Sequence, residues 1–192
     1  MRTTGTRNVF AVVLAGVMMA TASPALAQAQ SSQSDDPAPL TSEEFKAAVA
    51  AGHPLRIKNY NSDKYLEPSG GSTANGAKIV QRTSSGATVQ RWVPVNDDGY
   101  VSYENVGSGR NLGIDGASTS VGAAAIQANP SGDLNQDWEV FYTGTGGATM
   151  KNRKSGLCLG ISRGSEASNA PAGQYRCDQT SNQKWVISRW EG

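Results

Sequence analysis

Residue types that carry catalytic or metal chemistry are sparse in this sequence. His53, directly before Pro54, is the one histidine among 192 residues, so the sequence offers no paired-histidine or Ser-His-Asp arrangement. One histidine and two cysteines cannot assemble an ordinary zinc ligand set. No Walker-type phosphate loop or nucleophile elbow occurs either. The sequence therefore predicts a protein that is not an enzyme and binds no metal or cofactor.

The most regular feature is a Gln-x-Trp motif that occurs three times. The motif tryptophans lie 46 and then 47 positions apart. A fixed period in the range of about 20–50 residues indicates a repeat architecture, in which one unit cannot bury its apolar face alone. The intervening sequence matches as well, which predicts three repeats over about residues 54–97, 98–143 and 144–190. The motifs are Gln90-Arg91-Trp92, Gln136-Asp137-Trp138 and Gln183-Lys184-Trp185.

Short alternating runs, separated by Ser, Gly and Asn clusters, fill each repeat. In the first repeat they are Leu55–Asn59, Tyr65–Ser69, Lys78–Arg82 and Trp92–Val95. They predict about four short strands per repeat and an all-β fold. A propeller needs about four to eight blades, and a solenoid stacks openly and needs special end repeats. Three equal repeats therefore favour a closed body with threefold symmetry.

The first 27 residues have the three zones of a secretory signal peptide. These are a basic start with Arg2 and Arg7, an apolar run, and a small-residue end at Ala25-Leu26-Ala27. The apolar run is shorter than the ~20 residues that span a bilayer. We therefore expect a secreted protein whose mature chain begins near Gln28 and has no membrane anchor.

A tether and a short helix are predicted next. Residues 28–40 are rich in Ser, Gln, Asp and Pro and should form a disordered tether. Thr41 and Glu44 have the spacing of a capping box and Gly52 can end a helix, which predicts a helix over 41–52. Phe45 and Val49 share one face of it. We expect this helix to pack over one end of the domain, and the alternative is a partner-binding helix.

The charge balance bears on the class of partner. Removal of residues 1–27 takes away two arginines and no acids, which leaves 15 basic against 16 acidic residues, a net charge of −1. Nucleic acids and anionic membranes are bound largely through Lys and Arg. The sequence therefore predicts a polar, uncharged partner, with no nucleic acid and no membrane.

Three repeats of about 45 residues, each ending in Gln-x-Trp after a Leu-centred strand and a Gly turn, resemble the ricin B-type lectin domain. That family has the β-trefoil fold, and the resemblance covers about Pro54 to Trp190. It implies a β-trefoil over 54–192 in which Trp92, Trp138 and Trp185 are buried scaffold residues. The motif glutamines are expected to hold local turns.

The resemblance also implies a disulfide between Cys158 and Cys177 in the third repeat. The equivalent positions hold Tyr65 and Ser84 in the first repeat, and Asn111 and Pro130 in the second. We therefore expect the first two repeats to rely on packing alone.

Three positions per repeat are implied to bind sugar. The family has an Asp after the Leu of the second strand, an aromatic residue two before the second cysteine position, and an Asn before the motif Gln. No repeat of this chain holds all three. The residues present are Glu67, Arg82 and Val89 in the first repeat, Gly113, Ala128 and Asn135 in the second, and Gly160, Tyr175 and Asn182 in the third.

The third repeat is the best candidate on this basis. Because residues i and i+2 of a strand face the same way, Ser162 and Asp115 are expected to stand in for the missing acids. The third repeat would then present Ser162, Tyr175, Asn182 and Gln183, and the second Asp115, Asn135 and Gln136. The first would present Glu67 and Arg82. The Arg82 guanidinium would either suit an acidic glycan or pair with Glu67.

These residues predict a secreted, monomeric, non-enzymatic carbohydrate-binding module with shallow sites on one or more repeats. The alternative is a secreted protein-interaction trefoil, such as a hydrolase inhibitor, that contacts its partner through loops. A glycosidase that uses Glu67 with a second carboxylate ranks third. Trp190 lies beyond the last motif, where it either closes the barrel end or is exposed.

Overall fold

A computed structural model describes residues 37–144 and 146–190. The predicted signal peptide, and the predicted tether up to residue 36, lie outside these residues. The described chain contains one α-helix, α1 (Ser42–Ala51), and 12 strands. The strands are β1 (Leu55–Asn59), β2 (Tyr65–Pro68), β3 (Ile79–Arg82), β4 (Trp92–Asp97), β5 (Tyr100–Asn105), β6 (Asn111–Ile114), β7 (Ala125–Ala128), β8 (Trp138–Thr143), β9 (Gly147–Asn152), β10 (Cys158–Ile161), β11 (Ala172–Tyr175) and β12 (Trp185–Arg189).

Six strands close a barrel. The antiparallel pairs β4–β5, β8–β9 and β12–β1 run along most of their length. Neighbouring pairs join at a motif tryptophan, through the partners Leu55 and Trp92, Val101 and Trp138, and Ala148 and Trp185. Each motif tryptophan therefore marks the point where two strand pairs meet.

The other six strands form three hairpins, β2–β3, β6–β7 and β10–β11. Single bridges tie the hairpins to one another, through Lys78 and Ile126, Ala124 and Gly173, and Val80 and Pro171. A six-stranded barrel with three linked hairpins is a β-trefoil, so the predicted fold is confirmed.

The three motif tryptophans are scaffold residues, as predicted. Each is 0% exposed. Each indole Nε1 donates to the backbone carbonyl of the strand leucine of its own repeat, at 3.2 Å for Leu66, 3.1 Å for Leu112 and 3.0 Å for Leu159. A buried indole N–H needs such a partner. The bond therefore fixes the hairpin of each repeat to its barrel strand.

The motif glutamines hold the loop that precedes them. Nε2 of Gln90, Gln136 and Gln183 donates at 2.9 Å to the carbonyl seven residues upstream, in Thr83, Asn129 and Arg176. Oε1 accepts a backbone N–H from the same loop in all three repeats. This confirms that the motif glutamine holds a local turn.

A second set of glutamines joins the repeats to one another. Gln81, Gln127 and Gln174 are 0% exposed and lie in β3, β7 and β11. Nε2 of Gln174 donates to Ser118 O and Ser120 O, each at 2.9 Å, in the second repeat. Gln127 binds two carbonyls of the first repeat in the same way, and Gln81 binds two of the third. These bonds run around the threefold axis and close the ring of repeats.

Helix α1 begins with the predicted capping box. Thr41 Oγ1 accepts from Glu44 N at 3.3 Å, Glu44 Oε2 accepts from Thr41 N at 2.8 Å, and Gly52 ends the helix at φ 63°. Phe45 packs against Tyr142 with ring centroids 5.7 Å apart, near the end of β8, so the helix covers the barrel end where β4–β5 and β8–β9 turn. No helix among the described residues is long and apolar enough to cross a bilayer.

The end of the predicted tether is ordered, contrary to prediction. Leu40 belongs to the core cluster, and its N–H donates to Ile187 O at 2.8 Å. Burial of an apolar side chain and one backbone bond together offset the entropy of ordering this residue.

The predicted disulfide between Cys158 and Cys177 is present. It should stabilise the fold by roughly 3 kcal/mol on the chain-entropy model.

The prediction that the other repeats rely on packing alone is wrong. In the first repeat the Arg56 guanidinium lies 3.5 Å from the Tyr65 ring centroid and donates to Ser84 Oγ at 2.6 Å. In the second, Asn111 Nδ2 donates to Gln136 Oε1 at 2.9 Å.

The bonds between repeats predict a large effect of Gln174→Ala. The substitution removes both bonds to Ser118 and Ser120 and the acceptor of Ser155 Oγ, at 2.7 Å. Buried polar groups left without partners cost about 1–3 kcal/mol, so we expect a loss of that size in chemical denaturation. Thr119→Ala, at an exposed position in the same loop, is the control. Equal stability of the two variants would contradict this role of Gln174.

Helix α1 predicts a contribution to the acid dependence of stability. Hydrogen bonds from the Thr41 backbone and side chain lower the pKa of Glu44 below its ordinary value of 4.5. The ionised carboxylate therefore stabilises the fold fully above pH 4.5, and this contribution is lost as the pH falls through the lowered pKa. Glu44→Gln keeps a capping-box residue but does not titrate.

We expect the unfolding free energy of the Glu44→Gln variant to fall less steeply with acid than that of the wild type. Glu43→Gln, which removes an exposed acid from the same helical turn, is the control. Parallel curves for the wild type and the Glu44→Gln variant would rule out a role of the ionised carboxylate.

Candidate functional site

The residues implied to bind sugar fall in three equivalent places. Each place lies beside the short 3₁₀ turn that follows the second strand of a repeat, at Ser69–Gly71, Asp115–Ala117 and Ser162–Gly164. We call them site one (Glu67, Arg82, Val89), site two (Gly113, Ala128, Asn135) and site three (Gly160, Tyr175, Asn182). No group of three or more His, Cys, Asp or Glu side chains that could hold a metal ion occurs among the described residues.

Site one uses its charged groups internally. Glu67 is 5% exposed, and its Oε2 accepts from Gln90 Nε2 at 2.8 Å. Its Oε1 lies 3.5 Å from Arg82 Nε, and Arg82 Nη1 donates to Asn169 Oδ1 at 2.7 Å. Of the two predicted roles for Arg82, the pairing with Glu67 is therefore observed. An adjacent cavity of about 450 Å³ has Glu67 as the one carboxylate in its lining.

Site two contains a cavity and a buried hydrogen-bond acceptor that has no partner among the described residues. Asn135 lines a cavity of about 450 Å³ and is 6% exposed. Its Nδ2 donates to Ile114 O at 2.9 Å, but its Oδ1 is buried with no hydrogen-bond partner among the described residues. A buried carbonyl without a partner is unfavourable.

Site three contains a tyrosine ring that lies across two glycines. Gly160 and Gly173 are paired neighbours in β10 and β11. A Cβ on Gly160 would lie 3.3 Å from Tyr175 Cδ2, and a Cβ on Gly173 would lie 3.3 Å from Tyr175 Oη. The ring therefore occupies the space that an acid at position 160 would need.

The side-chain amide of site three is fixed by hydrogen bonds at both of its polar atoms. Asn182 Nδ2 donates to Ile161 O at 2.9 Å, as Asn135 does in site two. The Thr180 hydroxyl lies 2.7 Å from Asn182 Oδ1 and 2.6 Å from Asp178 Oδ1. Hydrogen bonds from the Thr180 side chain and backbone lower the pKa of Asp178, which keeps this carboxylate ionised. The backbone carbonyl of Asn182 and the Tyr175 ring both lie within 3.4 Å of the position that a Cβ on Gly160 would take, so the two residues border the same place on β10.

The strand argument for Asp115 and Ser162 is wrong. Strands β6 and β10 end at Ile114 and Ile161, and residues 115 and 162 begin the 3₁₀ turns, so strand alternation does not extend to them. Asp115 is exposed and Ser162 is half-buried at the edge of their sites. Contact of these two side chains with a sugar remains a prediction. Gln136 and Gln183 are buried and already bonded at both amide atoms, so the structure gives them a supporting position.

Each site also has a wall from a neighbouring repeat, which the sequence did not predict. Asn169 of the third repeat borders site one through its bond to Arg82. Asn75 of the first repeat lines site two and accepts from Asn129 N at 2.8 Å. Gly122 of the second repeat reaches site three, where its N–H donates to Gln174 O at 2.7 Å. These partners are far apart in sequence, so a repeat-by-repeat alignment does not reveal them.

The close contacts over Gly160 predict that a side chain at this position lowers the stability of the protein. An added Cβ would lie 2.9 Å from Gln183 Cγ as well as 3.3 Å from Tyr175 Cδ2. We expect Gly160→Ala to displace these groups and to destabilise the protein by about 1–3 kcal/mol in chemical denaturation. Gly132→Ala, where a Cβ meets nothing within 4 Å, should stay within about 0.5 kcal/mol of wild type. Equal stability of both variants would contradict the packing described at site three.

Comparisons with solved structures agree with the fold. The designed threefold-symmetric protein ThreeFoil is 33% identical, with a TM-score of 0.70 over 71% of this chain and 99% of that chain. The exo-beta-1,3-galactanase 1,3Gal43A from Clostridium thermocellum is 30% identical, with a TM-score of 0.70 over 72% of this chain. This chain spans only 30% of the galactanase.

A lectin with lower identity has the same fold. The Macrolepiota procera ricin B-like lectin, solved in complex with lactose, is 18% identical, with a TM-score of 0.64 over 72% of this chain and 96% of that chain. No curated protein matches this chain by sequence. The family model described as "Ricin-type beta-trefoil lectin domain-like" matches residues 44–129 and 134–191. The chain therefore belongs to the ricin-type β-trefoil lectin domain-like family.

Proposed function

We propose that this protein is a carbohydrate-binding module that binds poly- or oligosaccharide chiefly through site three. The observation that carries the proposal is the Tyr175 ring across Gly160 and Gly173, with Asn182 bordering Gly160 as well. Aromatic faces pack against the apolar side of a sugar ring, and amides and hydroxyls reach its hydroxyl groups. Membership of a lectin-like family supports this function.

Site two is proposed as a second, weaker site. It has a cavity and the unpartnered Asn135 Oδ1, but Ala128 stands where site three has its ring. A polysaccharide that engages two sites at once gains avidity without any new contact. Site one contributes less, because Glu67 and Arg82 already pair with each other.

The protein is proposed to be non-enzymatic. Glycoside hydrolysis commonly uses two carboxyl groups on either side of the scissile bond. Among the residues that line the cavity at site one, Glu67 is the one carboxylate. The galactanase is much longer than this chain, so its catalytic activity is not transferred.

Secretion and a monomeric state complete the proposal. The disulfide between Cys158 and Cys177 supports export, because disulfides persist in oxidising compartments.

The rival function is a secreted interaction trefoil such as a hydrolase inhibitor. The internal pairing at site one and the missing ring at site two favour it.

Tyr175→Ala tests the proposed site. We expect the variant to lose at least about tenfold in affinity for the glycans that the wild type binds. The reason is that the variant loses both the contact of the ring with the sugar and the packing of the ring over Gly160 and Gly173. A glycan array and a polysaccharide pull-down measure this loss. Phe141→Ala, which removes an exposed ring from β8, should bind like wild type.

Two results would contradict the proposal. Unchanged affinity of the Tyr175→Ala variant would place binding elsewhere than site three. Absence of binding to every glycan, together with capture of exported hydrolases that free sugars do not disturb, would select the interaction trefoil instead.

A further inference from the structure

The turn between β1 and β2 of the first repeat lies against site three. Asn59 Nδ2 donates to the backbone carbonyl of Asn182 at 2.9 Å. Asn61 Nδ2 donates to Gly164 O and Glu166 Oε1, each at 3.3 Å, and Asn61 Oδ1 accepts from Ser181 Oγ at 2.8 Å. Asn61 therefore lies between the two loops that border site three, at Ser162–Gly164 and Ser181–Gln183.

Tyr60, between these two asparagines, presents an exposed ring. Its side chain is 47% exposed, and Lys184 Nζ lies 5.7 Å from the ring centroid. The attachment to the third repeat uses the backbone of Tyr60, whose N–H donates to Lys184 O at 3.0 Å. The ring is therefore not required for this attachment.

The equivalent turns of the other two repeats have different side chains at the position of Tyr60. Val106 and Arg153 make the same backbone bond as Tyr60, to Arg91 O and Asp137 O. Val106 offers no ring, and Arg153 Nη1 is held between Asp97 Oδ2 at 3.1 Å and Asp137 Oδ2 at 3.2 Å. Of the three equivalent turns, the one beside site three alone adds an aromatic face.

We propose that Tyr60, positioned by Asn61, forms a second sugar subsite that continues site three, so that this site recognises a chain of sugars rather than a single sugar. One sugar would pack on Tyr175, and a following sugar would pack on Tyr60. The Lys184 ammonium would then donate to a hydroxyl of that second sugar. Asn61, whose amide atoms are already bonded, holds the Tyr60 turn against site three. This inference rests on the proposed function of site three.

The test compares affinities for sugars of increasing length. Galacto-, xylo-, manno- and chito-oligosaccharides, from monosaccharide to tetrasaccharide, are titrated into the full chain by calorimetry. We expect Tyr60→Ala to lower the affinity for the tri- and tetrasaccharide of the bound series by about fivefold, the effect of one lost ring contact. Its affinity for the monosaccharide should equal that of wild type, whereas Tyr175→Ala should weaken both.

Two controls separate a lost contact from a damaged fold. Tyr60→Phe keeps the ring and should retain the affinity for the long sugars. Phe141→Ala removes an exposed ring from the barrel wall and should leave all affinities unchanged. The unfolding midpoint of the Tyr60→Ala variant should match wild type, because its attachment uses the backbone.

The outcomes distinguish this inference from the function on which it rests. Equal affinity of wild type and the Tyr60→Ala variant for the long sugars would overturn the second subsite and leave carbohydrate binding intact. A loss of equal size for monosaccharide and tetrasaccharide would also overturn it. Absence of binding by wild type to every sugar would overturn both.

Discussion

The buried amides of Gln81, Gln127 and Gln174 hold the three repeats in one ring. Each amide donates to two carbonyls of a loop in another repeat and accepts a serine hydroxyl of its own repeat at 2.7 Å. Both polar atoms of each amide are therefore used inside the protein. Loss of one amide therefore removes both of its hydrogen bonds to the neighbouring repeat at once. The same bonds bring a neighbouring loop against each candidate site, so the sites depend on closure of the ring.

The three sites share this scaffold but differ in what their side chains do. Glu67 of site one is bonded to Gln90 and Arg82, which stabilises the repeat at the expense of ligand contact. Asn135 of site two retains a buried acceptor beside a cavity. In site three the Tyr175 ring covers paired glycines, an arrangement in which an aromatic residue compensates for missing side chains on a strand. Different residues at a few equivalent positions thus give site one a structural role and leave sites two and three as the candidate binding sites.

Features that depend on one repeat at a time could be predicted from the sequence. The Gln-x-Trp period predicted three repeats in a closed body, and the family resemblance that these motifs carry implied the trefoil and the burial of its tryptophans. The spacing of Thr41 and Glu44 predicted helix α1. The second glutamine series was also visible, nine residues before each motif glutamine, but its carbonyl partners lie in other repeats. Stacking of Arg56 on Tyr65 and the Tyr175 ring over Gly160 depend on three-dimensional proximity alone. Strand alternation failed at Asp115 because a 3₁₀ turn begins there.

The most direct test of carbohydrate binding at site three is a titration of the ¹⁵N-labelled protein with an oligosaccharide, followed by amide chemical shifts. We expect the largest shift changes to cluster on the loops around Tyr175 and Asn182, with smaller changes beside Asn135 and none at helix α1. Shift changes that are confined to α1 and the β4–β5 turn, or that are absent at saturating sugar, would contradict carbohydrate binding at site three.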